Sequence, residues 1–349
     1  MGAAHERLVQ PVIRARSRLR RAGLAALPLV TLAACAKNAP QDTLEPKGPV
    51  ARQIDNLINP VFAVAGVVFV LVMGLALYVV IKFRHRDDAP EPVQIHGNTK
   101  LELTWTLIPA FTLLVIAVPT IATIFDLAEE PDDALHVTVI GHQFWWEYRY
   151  DDFGVVTANE LVIPARQPVQ ITLDGAEDDV IHSFWIPPLG GKQDIVPGRE
   201  AKMRIEADEP GTYLGQCTEY CGLSHANMRA RAVAITRDEF ATWVRDQQRP
   251  GLPGPTGSGE AAQGQTLFTS KGCGGCHTIQ GVSQGQVGPN LTHLYSRETF
   301  AGSMFDLTTA NLRRWLQDPP AVKPGSKMPN LGLSDDEIAQ LIAYMETLR

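Results

Sequence analysis

Cysteine is scarce in this chain, with five among 349 residues. A small disulfide-stapled scaffold needs a higher density, so that class of fold is excluded. The five fall into one single residue and two close pairs, which indicates cofactor or redox chemistry rather than stapling. They are Cys35, Cys217, Cys221, Cys273 and Cys276.

Basic residues are also fewer than acidic residues, 31 against 38. The formal net charge is −7, and residues 1–34 alone hold six arginines and one glutamate. The remainder carries 25 basic and 37 acidic side chains, a balance that excludes nucleic acid as a general partner. With 45% hydrophobic and 20% charged residues, the composition is neither disordered nor collagen-like. The length suffices for two or three domains.

The first hydrophobic run is too short to span a bilayer. Residues 22–34 follow a cluster of arginines, a pattern typical of a signal peptide over residues 1–34. The letters LAAC at 32–35 resemble a bacterial lipobox, in which the cysteine is lipidated and begins the mature chain. An ordinary signal peptide with an incidental Cys35 is the alternative. Residues 35–56 are expected to form a polar tether.

Two longer runs, 61–81 and 103–125, contain no charged residue and are long enough for transmembrane helices. They predict a membrane hairpin over residues 57–126. The loop between them is basic, which places it at the cytoplasmic face. We therefore expect a bacterial inner-membrane protein with both termini on the periplasmic or extracellular side. The basic residues are Lys82, Arg84, Arg86 and Lys100.

Residues 132–247 change to short β-type segments separated by Gly, Pro and Asp. Many short strands with such turns predict a β-sandwich or barrel. The clearest segments are 135–140, 169–173, 201–205 and 230–235.

A Pro- and Gly-rich linker is predicted at 248–259, followed by a small all-α domain over 260–349. Ser334 and Glu337 have the spacing of a capping box at the start of the last helix. The predicted helices cover 264–270, 308–317 and 334–348.

The middle domain holds a dense group of soft metal donors. Cys217, Cys221, His225 and Met228 lie within twelve residues, and His182 precedes them by 35. Thiolate, thioether and imidazole together on a β-sandwich suit copper. Two cysteines four apart can place both sulfurs between two metal ions, each completed by one histidine. Such a pair shares charge, so little rearranges when an electron arrives, which favours electron transfer.

Other interpretations of these residues stay open at this point. Two cysteines four apart outside the cytoplasm also suit a disulfide, or a redox or copper-delivery thiol pair. Zinc is a further alternative, although methionine is a poor zinc ligand.

Residues 53–247 resemble subunit II of the haem–copper cytochrome oxidases. The membrane hairpin, the segment GHQFWWEY at 141–148, the segment around His182 and the loop 217–228 match in that order. The resemblance implies a cupredoxin fold that carries a binuclear CuA centre.

The same resemblance assigns roles to the donors. It implies that Cys217 and Cys221 bridge two coppers and that His182 and His225 cap them. It also implies weak axial ligands, and a magnesium ion held by the Glu219 side chain at the boundary with subunit I. The axial ligands would be Met228 and the main-chain carbonyl of Glu219.

Two further positions carry over from the family. Glu102 resembles the acid at the entrance of a proton channel in subunit I; the alternative is an interfacial charge at a helix N-terminus. The run Phe144, Trp145 and Trp146 resembles the family's electron-entry patch, although the family has Trp where Phe144 stands. Packing in the core is the alternative for these aromatic residues.

A second motif stands at Cys273–His277, with the letters CGGCH. Cys-x-x-Cys-His attaches c-type haem: each thiol of Cys273 and Cys276 adds to a vinyl group, and His277 ligates iron. Met328 lies 51 residues further on and is the predicted sixth ligand. Residues 260–349 resemble class I cytochrome c.

The two resemblances together match subunit II of a caa-type cytochrome c oxidase. They imply that electrons from cytochrome c or a cytochrome bc complex enter at haem c and pass to CuA and then to haem a in subunit I. Oxygen reduction and proton pumping would occur there, with subunit III as a further partner. The alternative is a membrane-anchored copper-delivery or redox-sensing protein.

Charge counts give one expectation about the two outer domains. Residues 132–247 carry 19 acidic and 10 basic side chains, whereas 260–349 carry 8 and 7. We therefore expect weak electrostatic steering between them and a main role for the linker.

Overall fold

The computed structural model describes residues 39–84, 93–94, 96–249 and 257–349. The predicted signal peptide, the lipidation of Cys35 and most of the predicted linker lie outside these residues.

Two long helices, α1 (Pro49–Lys82) and α2 (Thr99–Ala128), have 34 and 30 residues and expose their apolar side chains along their length. Each is longer than the ~20 residues that a bilayer requires. Pro49 occupies the first turn of α1, where its missing N–H costs no hydrogen bond. The Asn98 side chain caps α2 by accepting hydrogen bonds from two backbone N–H groups.

The start of α1 differs from the sequence prediction, because the helix begins inside the predicted tether. Val50 and Ala51 are buried, and Arg52 forms an ion pair with Asp208 of the following domain. The first turns of α1 are therefore stabilised by packing on that domain, a contact that hydropathy does not reveal.

The middle domain is a β-sandwich of two five-stranded sheets. One sheet has the order β3-β2-β1-β5-β8 and the other β4-β10-β9-β6-β7, with parallel pairs β1–β5 and β4–β10. All four segments predicted as strands are strands. The strands are β1 (Leu135–His142), β2 (Trp145–Tyr150), β3 (Val155–Ala158), β4 (Leu161–Pro164), β5 (Val169–Gly175), β6 (His182–Trp185), β7 (Gln193–Ile195), β8 (Ala201–Ile205), β9 (Gly211–Cys217) and β10 (Arg229–Ile235).

Large aromatic and aliphatic side chains fill the space between the sheets. Trp146, Tyr148 and Phe184 are fully buried and pack edge to face. Tyr150 is buried as well, and its hydroxyl donates to the Val162 carbonyl. Helix α3 (Arg237–Gln248) closes the domain and begins with a capping box.

The C-terminal domain is helical, with two short β-hairpins that the sequence did not predict. The predicted capping box of Ser334 and Glu337 is present. The helices are α4 (Glu260–Ser270), α5 (Thr309–Gln317), α6 (Pro319–Val322) and α7 (Asp335–Met345), and the hairpin strands are β11 (Thr278–Ile279), β12 (Ser283–Gln284), β13 (Thr299–Phe300) and β14 (Phe305–Asp306).

Candidate functional site

The fold gathers the predicted copper donors at one end of the sandwich. Cys217 ends β9, and the β6–β9 pairing brings His182, at the start of β6, beside it. The Cys217 Sγ lies 3.9 Å from the Cys221 Sγ and 3.9 Å from the His182 Nδ1. The Cys221 Sγ lies 3.7 Å from the His225 Nδ1 and 3.8 Å from the Met228 Sδ.

The two sulfurs are thiols rather than a disulfide. Their separation of 3.9 Å is far above the ~2.05 Å of an S–S bond. Cys217 and Cys221 are 3% and 2% exposed. The hydrogen bond that they share lowers the pKa of Cys217 and raises the pKa of Cys221. A buried pair with one stabilised thiolate, flanked by imidazole and thioether, is a donor set that fits copper.

Glu219 lies in the same loop, and its main-chain carbonyl and its side chain have different surroundings. Its main-chain carbonyl is 3.2 Å from the Cys217 Sγ, whereas its side chain is exposed. The carbonyl therefore faces the donor cluster, and the carboxylate faces outward.

Asp179 orients His182, a role that the sequence analysis missed. The Asp179 Oδ1 lies 3.3 Å from the His182 Nε2, which leaves Nδ1 toward Cys217. Burial lowers the pKa of His182, but the hydrogen bonds with Asp179 and Cys217 outweigh it and raise the pKa. Burial acts to raise the pKa of Asp179, yet hydrogen bonds from His182, Val180 and Gln143 hold it well below its usual range.

The motif residues of the C-terminal domain line a cavity of about 540 Å³, within the size range of cofactor sites. Cys273, Cys276, His277 and Met328 all border it. The His277 Nδ1 lies 2.9 Å from the Pro289 carbonyl, which fixes the ring and leaves Nε2 free to ligate a metal.

Arg297 provides an independent test of what the cavity holds. Its guanidinium is buried and lines the cavity. Only Nη2 is hydrogen-bonded, to the Asn290 carbonyl at 2.6 Å, and neither Nε nor Nη1 has a partner among the described residues. Burial lowers the pKa of Arg297 to about 10. Buried unpaired N–H donors in the cavity that the two free thiols also line fit the carboxylates of a haem.

The predicted aromatic patch is not a single exposed surface. Trp146 is buried in the sandwich core, edge-on to Phe184 and with its ring centre 6.1 Å from that of His182. Phe144 and Trp145 border the cavity, and Trp145 stacks on His142 at 4.2 Å. Core packing, the alternative given for these residues, therefore describes Trp146, and an electron-entry role for Phe144, Trp145 and Trp146 stays a prediction.

Glu102 lies in the first turn of α2, exposed, with its Oε1 accepting a hydrogen bond from the Asn98 N–H. An acid in this position also stabilises the start of a helix.

The fold and these residues define a class: a membrane protein with a β-sandwich thiolate metal site and a cytochrome c-like domain. Three protein-family models match the chain. They are the cytochrome c oxidase subunit II transmembrane domain over residues 41–123, its periplasmic domain over 154–235, and cytochrome c over 261–349.

Two relatives from bacteria carry the name cytochrome c oxidase subunit 2. Cytochrome c oxidase subunit 2 of Alkalihalophilus pseudofirmus is 38% identical over 315 residues, covering 88% of this chain and 90% of the relative. The Bacillus subtilis subunit 2 is 33% identical, with 93% and 96% covered. The periplasmic domain of subunit II from Bradyrhizobium japonicum is 31% identical, covering 34% of this chain and 96% of that structure, with a TM-score of 0.32.

The chain belongs to the cytochrome c oxidase subunit II family, in the form that carries a C-terminal cytochrome c domain. Membership implies a CuA centre in the sandwich, a haem in the C-terminal domain and assembly with an oxidase complex.

Proposed function

We propose that this chain relays electrons from an external donor to subunit I of a respiratory cytochrome c oxidase. Electrons would enter at the C-terminal domain and leave through the sandwich domain toward haem a. Oxygen reduction and proton pumping would take place in subunit I. The observation that carries the proposal is the presence of two complete donor sets in adjoining domains of one membrane-anchored chain.

In the sandwich, five side chains and one carbonyl would hold the binuclear copper centre, which supplies reversible one-electron chemistry when bound. The donors already lie together, and Asp179 fixes one imidazole. A preformed, buried site limits rearrangement on electron arrival. The ligands would be His182, Cys217, Cys221, His225, Met228 and the Glu219 carbonyl.

In the C-terminal domain, Cys273 and Cys276 would attach the haem covalently, and His277 and Met328 would ligate its iron. Two protein ligands leave no site for substrate, which favours electron transfer over oxygen chemistry. Met328 also accepts a hydrogen bond from Trp315 Nε1 at 3.2 Å, so its sulfur is held at the cavity wall.

The proposal extends to the surroundings of the complex. Lys82, Arg84 and Lys100 lie at the ends of the helices that the hairpin loop joins, which supports a cytoplasmic loop and outer domains on the periplasmic side. Partners would include subunit III and a cytochrome c or cytochrome bc donor. We also propose magnesium at Glu219 and a proton-channel entrance at Glu102. Lipidation of Cys35 is likewise a proposal.

A copper-delivery or thiol-redox protein is the competing function, and burial argues against it. Thiols that exchange metal or disulfides with a partner need access. Cys217 and Cys221 have almost no exposed surface.

A visible spectrum of the purified oxidase tests the proposal. We expect a c-type haem band that survives acid–acetone extraction of non-covalent haem, together with broad copper–thiolate absorption. Cys217→Ser should abolish the copper absorption and keep the haem band, whereas the double variant Cys273→Ser/Cys276→Ser should release the haem and keep the copper. Haem without any copper–thiolate absorption in the unmodified protein would contradict the relay.

A further inference from the structure

The haem domain (Glu260–Arg349) contacts the copper domain (Leu135–Gln248) through two loops, 298–303 and 323–328. Main-chain groups of the first loop bond to the copper domain: the Gly302 N–H donates to the Asn159 side-chain Oδ1 at 3.2 Å, and the Gly302 carbonyl accepts from the Arg229 N–H at 3.0 Å. At the second loop the Ser224 hydroxyl donates to the Pro324 carbonyl at 2.6 Å. Main-chain bonds of this kind require one fixed register of the two surfaces.

Glu160 of the copper domain supplies a buried acceptor for the first loop. Its Oε1 accepts from the Thr299 N–H and the Thr299 hydroxyl, both at 2.7 Å, and from the Glu298 N–H at 3.1 Å. Arg231 lies 3.5 Å from the same carboxylate. A carboxylate that is almost fully shielded needs such donors, because an unpaired buried charge is costly.

Lys323 of the haem domain supplies the reciprocal donor. The residue is 3% exposed, and its Nζ donates to the Phe144 carbonyl of the copper domain and the Ala301 carbonyl of its own domain, both at 2.6 Å. Its acceptors are main-chain carbonyls rather than a carboxylate, and burial lowers the pKa of Lys323 to about 7. Gly302 makes room here: a Cβ at that position would lie 2.6 Å from the Phe144 carbonyl and 2.7 Å from the Lys323 Nζ.

Phe144 is thereby held between the loops that carry the two donor sets. A Cβ at Gly222, beside Cys221, would lie 3.1 Å from the Phe144 ring, and one at Gly325, before Met328, would lie 3.2 Å from it. Phe144 as a whole residue is 4% exposed. A soluble donor cannot reach it while the two domains are in contact.

We propose that Glu160 and Lys323 clamp the haem domain onto the copper domain in one fixed arrangement, with Phe144 as the contact between the copper-ligand loop and the Met328 loop. The Lys327–Asp179 ion pair at 3.4 Å also crosses the interface, but Lys327 is half exposed and such pairs contribute little. The clamp rests on the proposed function for the identity of the cofactors and on the structure for the contact itself.

Hydrogen exchange in the intact oxidase tests the clamp. Glu160→Ala should accelerate exchange of the backbone amides at 298–303 by about tenfold or more, because three buried donors lose their acceptor. Glu160→Gln keeps an oxygen in the same place and should restore protection. Glu298→Ala is the matched control, since it removes the exposed carboxylate that also pairs with Arg231. Exchange in Glu160→Ala equal to that in the unmodified protein would overturn the proposal.

Amine labelling of the unmodified oxidase gives a second test that needs no variant. Lys323 should react much more slowly than Lys327, which lies four residues away and is half exposed. Equal labelling of the two lysines would show that the domains separate freely. The copper and haem absorption of the same sample reports on the relay, so failure of the clamp and failure of the proposed function are distinguishable.

Discussion

At the residue scale, the copper site depends on a side chain that ligates nothing. Asp179 contacts the His182 Nε2 and is held in place by the backbone N–H groups of Gln143 and Val180. A carboxylate behind a metal-binding imidazole fixes the ring and raises its basicity as a ligand.

Replacing this carboxylate should weaken copper binding. We expect Asp179→Asn to lower copper affinity by about tenfold, within the usual range for a lost partner of a ligating histidine. Chelator competition, followed through the copper–thiolate absorption, measures the change. Asp178→Asn, at the exposed neighbouring position, should have no effect. An affinity unchanged in Asp179→Asn would show that the ring is oriented by packing alone.

The sequence predicted the metal donors better than the residues that position them or fix the domain interface. The sequence identifies Cys217, Cys221 and His225 as metal donors because rare residue types recur there at short spacing. Asp179 and Lys323 have no such signal: one is an acid among other acids, and the other is a lone lysine before a proline. Asp179 is held by Gln143 across 36 positions of the chain, and Lys323 reaches Phe144 across 179 positions. Local sequence pattern cannot show contacts over such separations.

At the scale of elements, the haem domain depends on the close approach of α4 and α7. Gly264 of α4 faces the Gln340 carbonyl, and a Cβ there would lie 2.8 Å from the Tyr344 Cβ. Phe268 and Tyr344 pack edge to face one turn further along. Only a glycine allows this backbone-to-backbone contact without moving a helix.

Gly264→Ala should therefore destabilise the haem domain, despite the higher helix propensity of alanine. We expect a loss of about 1–3 kcal/mol from overpacking, seen as a lower thermal midpoint of the haem band in the intact oxidase. Gln265→Ala in the same helix is the control and should leave the midpoint nearly unchanged. A midpoint that rises in Gly264→Ala would mean that the helices can separate at no cost.

The element boundaries show the same limit of sequence reasoning. Apolar runs and strand patterns located both membrane helices and four strands of the sandwich, because burial in lipid or between sheets imposes a regular pattern. The sequence did not predict the start of α1 at Pro49 or the short hairpins of the haem domain, because both depend on tertiary contacts made by polar or mixed segments.

At the scale of the whole molecule, the near-neutral charge of the haem domain led us to expect that the linker, rather than electrostatic steering, keeps the two domains together. The structure instead shows an interface of buried hydrogen bonds around Glu160 and Lys323. Counting charges missed it because the strongest contacts involve main-chain groups, which carry no net charge.

Docking of the two domains should strengthen as the pH rises from about 7 toward 10.5. The docked pKa of Lys323 is about 7 against an ordinary value of 10.5, so separation takes up a proton in this range. Below the docked pKa both states are protonated, and the dependence vanishes. The measurement is the exchange rate at 298–303 relative to that of Lys323→Met, because the intrinsic pH effect cancels in the ratio. A ratio independent of pH would contradict the shift.

The seating of the haem domain also sets an order for maturation. Its loops lie directly over the loop that bears Cys221 and His225, through Ser224 and Pro324. A metallochaperone would find those thiols covered once the domains have closed. We therefore expect copper insertion to precede closure during biogenesis, so that the C-terminal domain covers the copper centre only after the metal has been inserted.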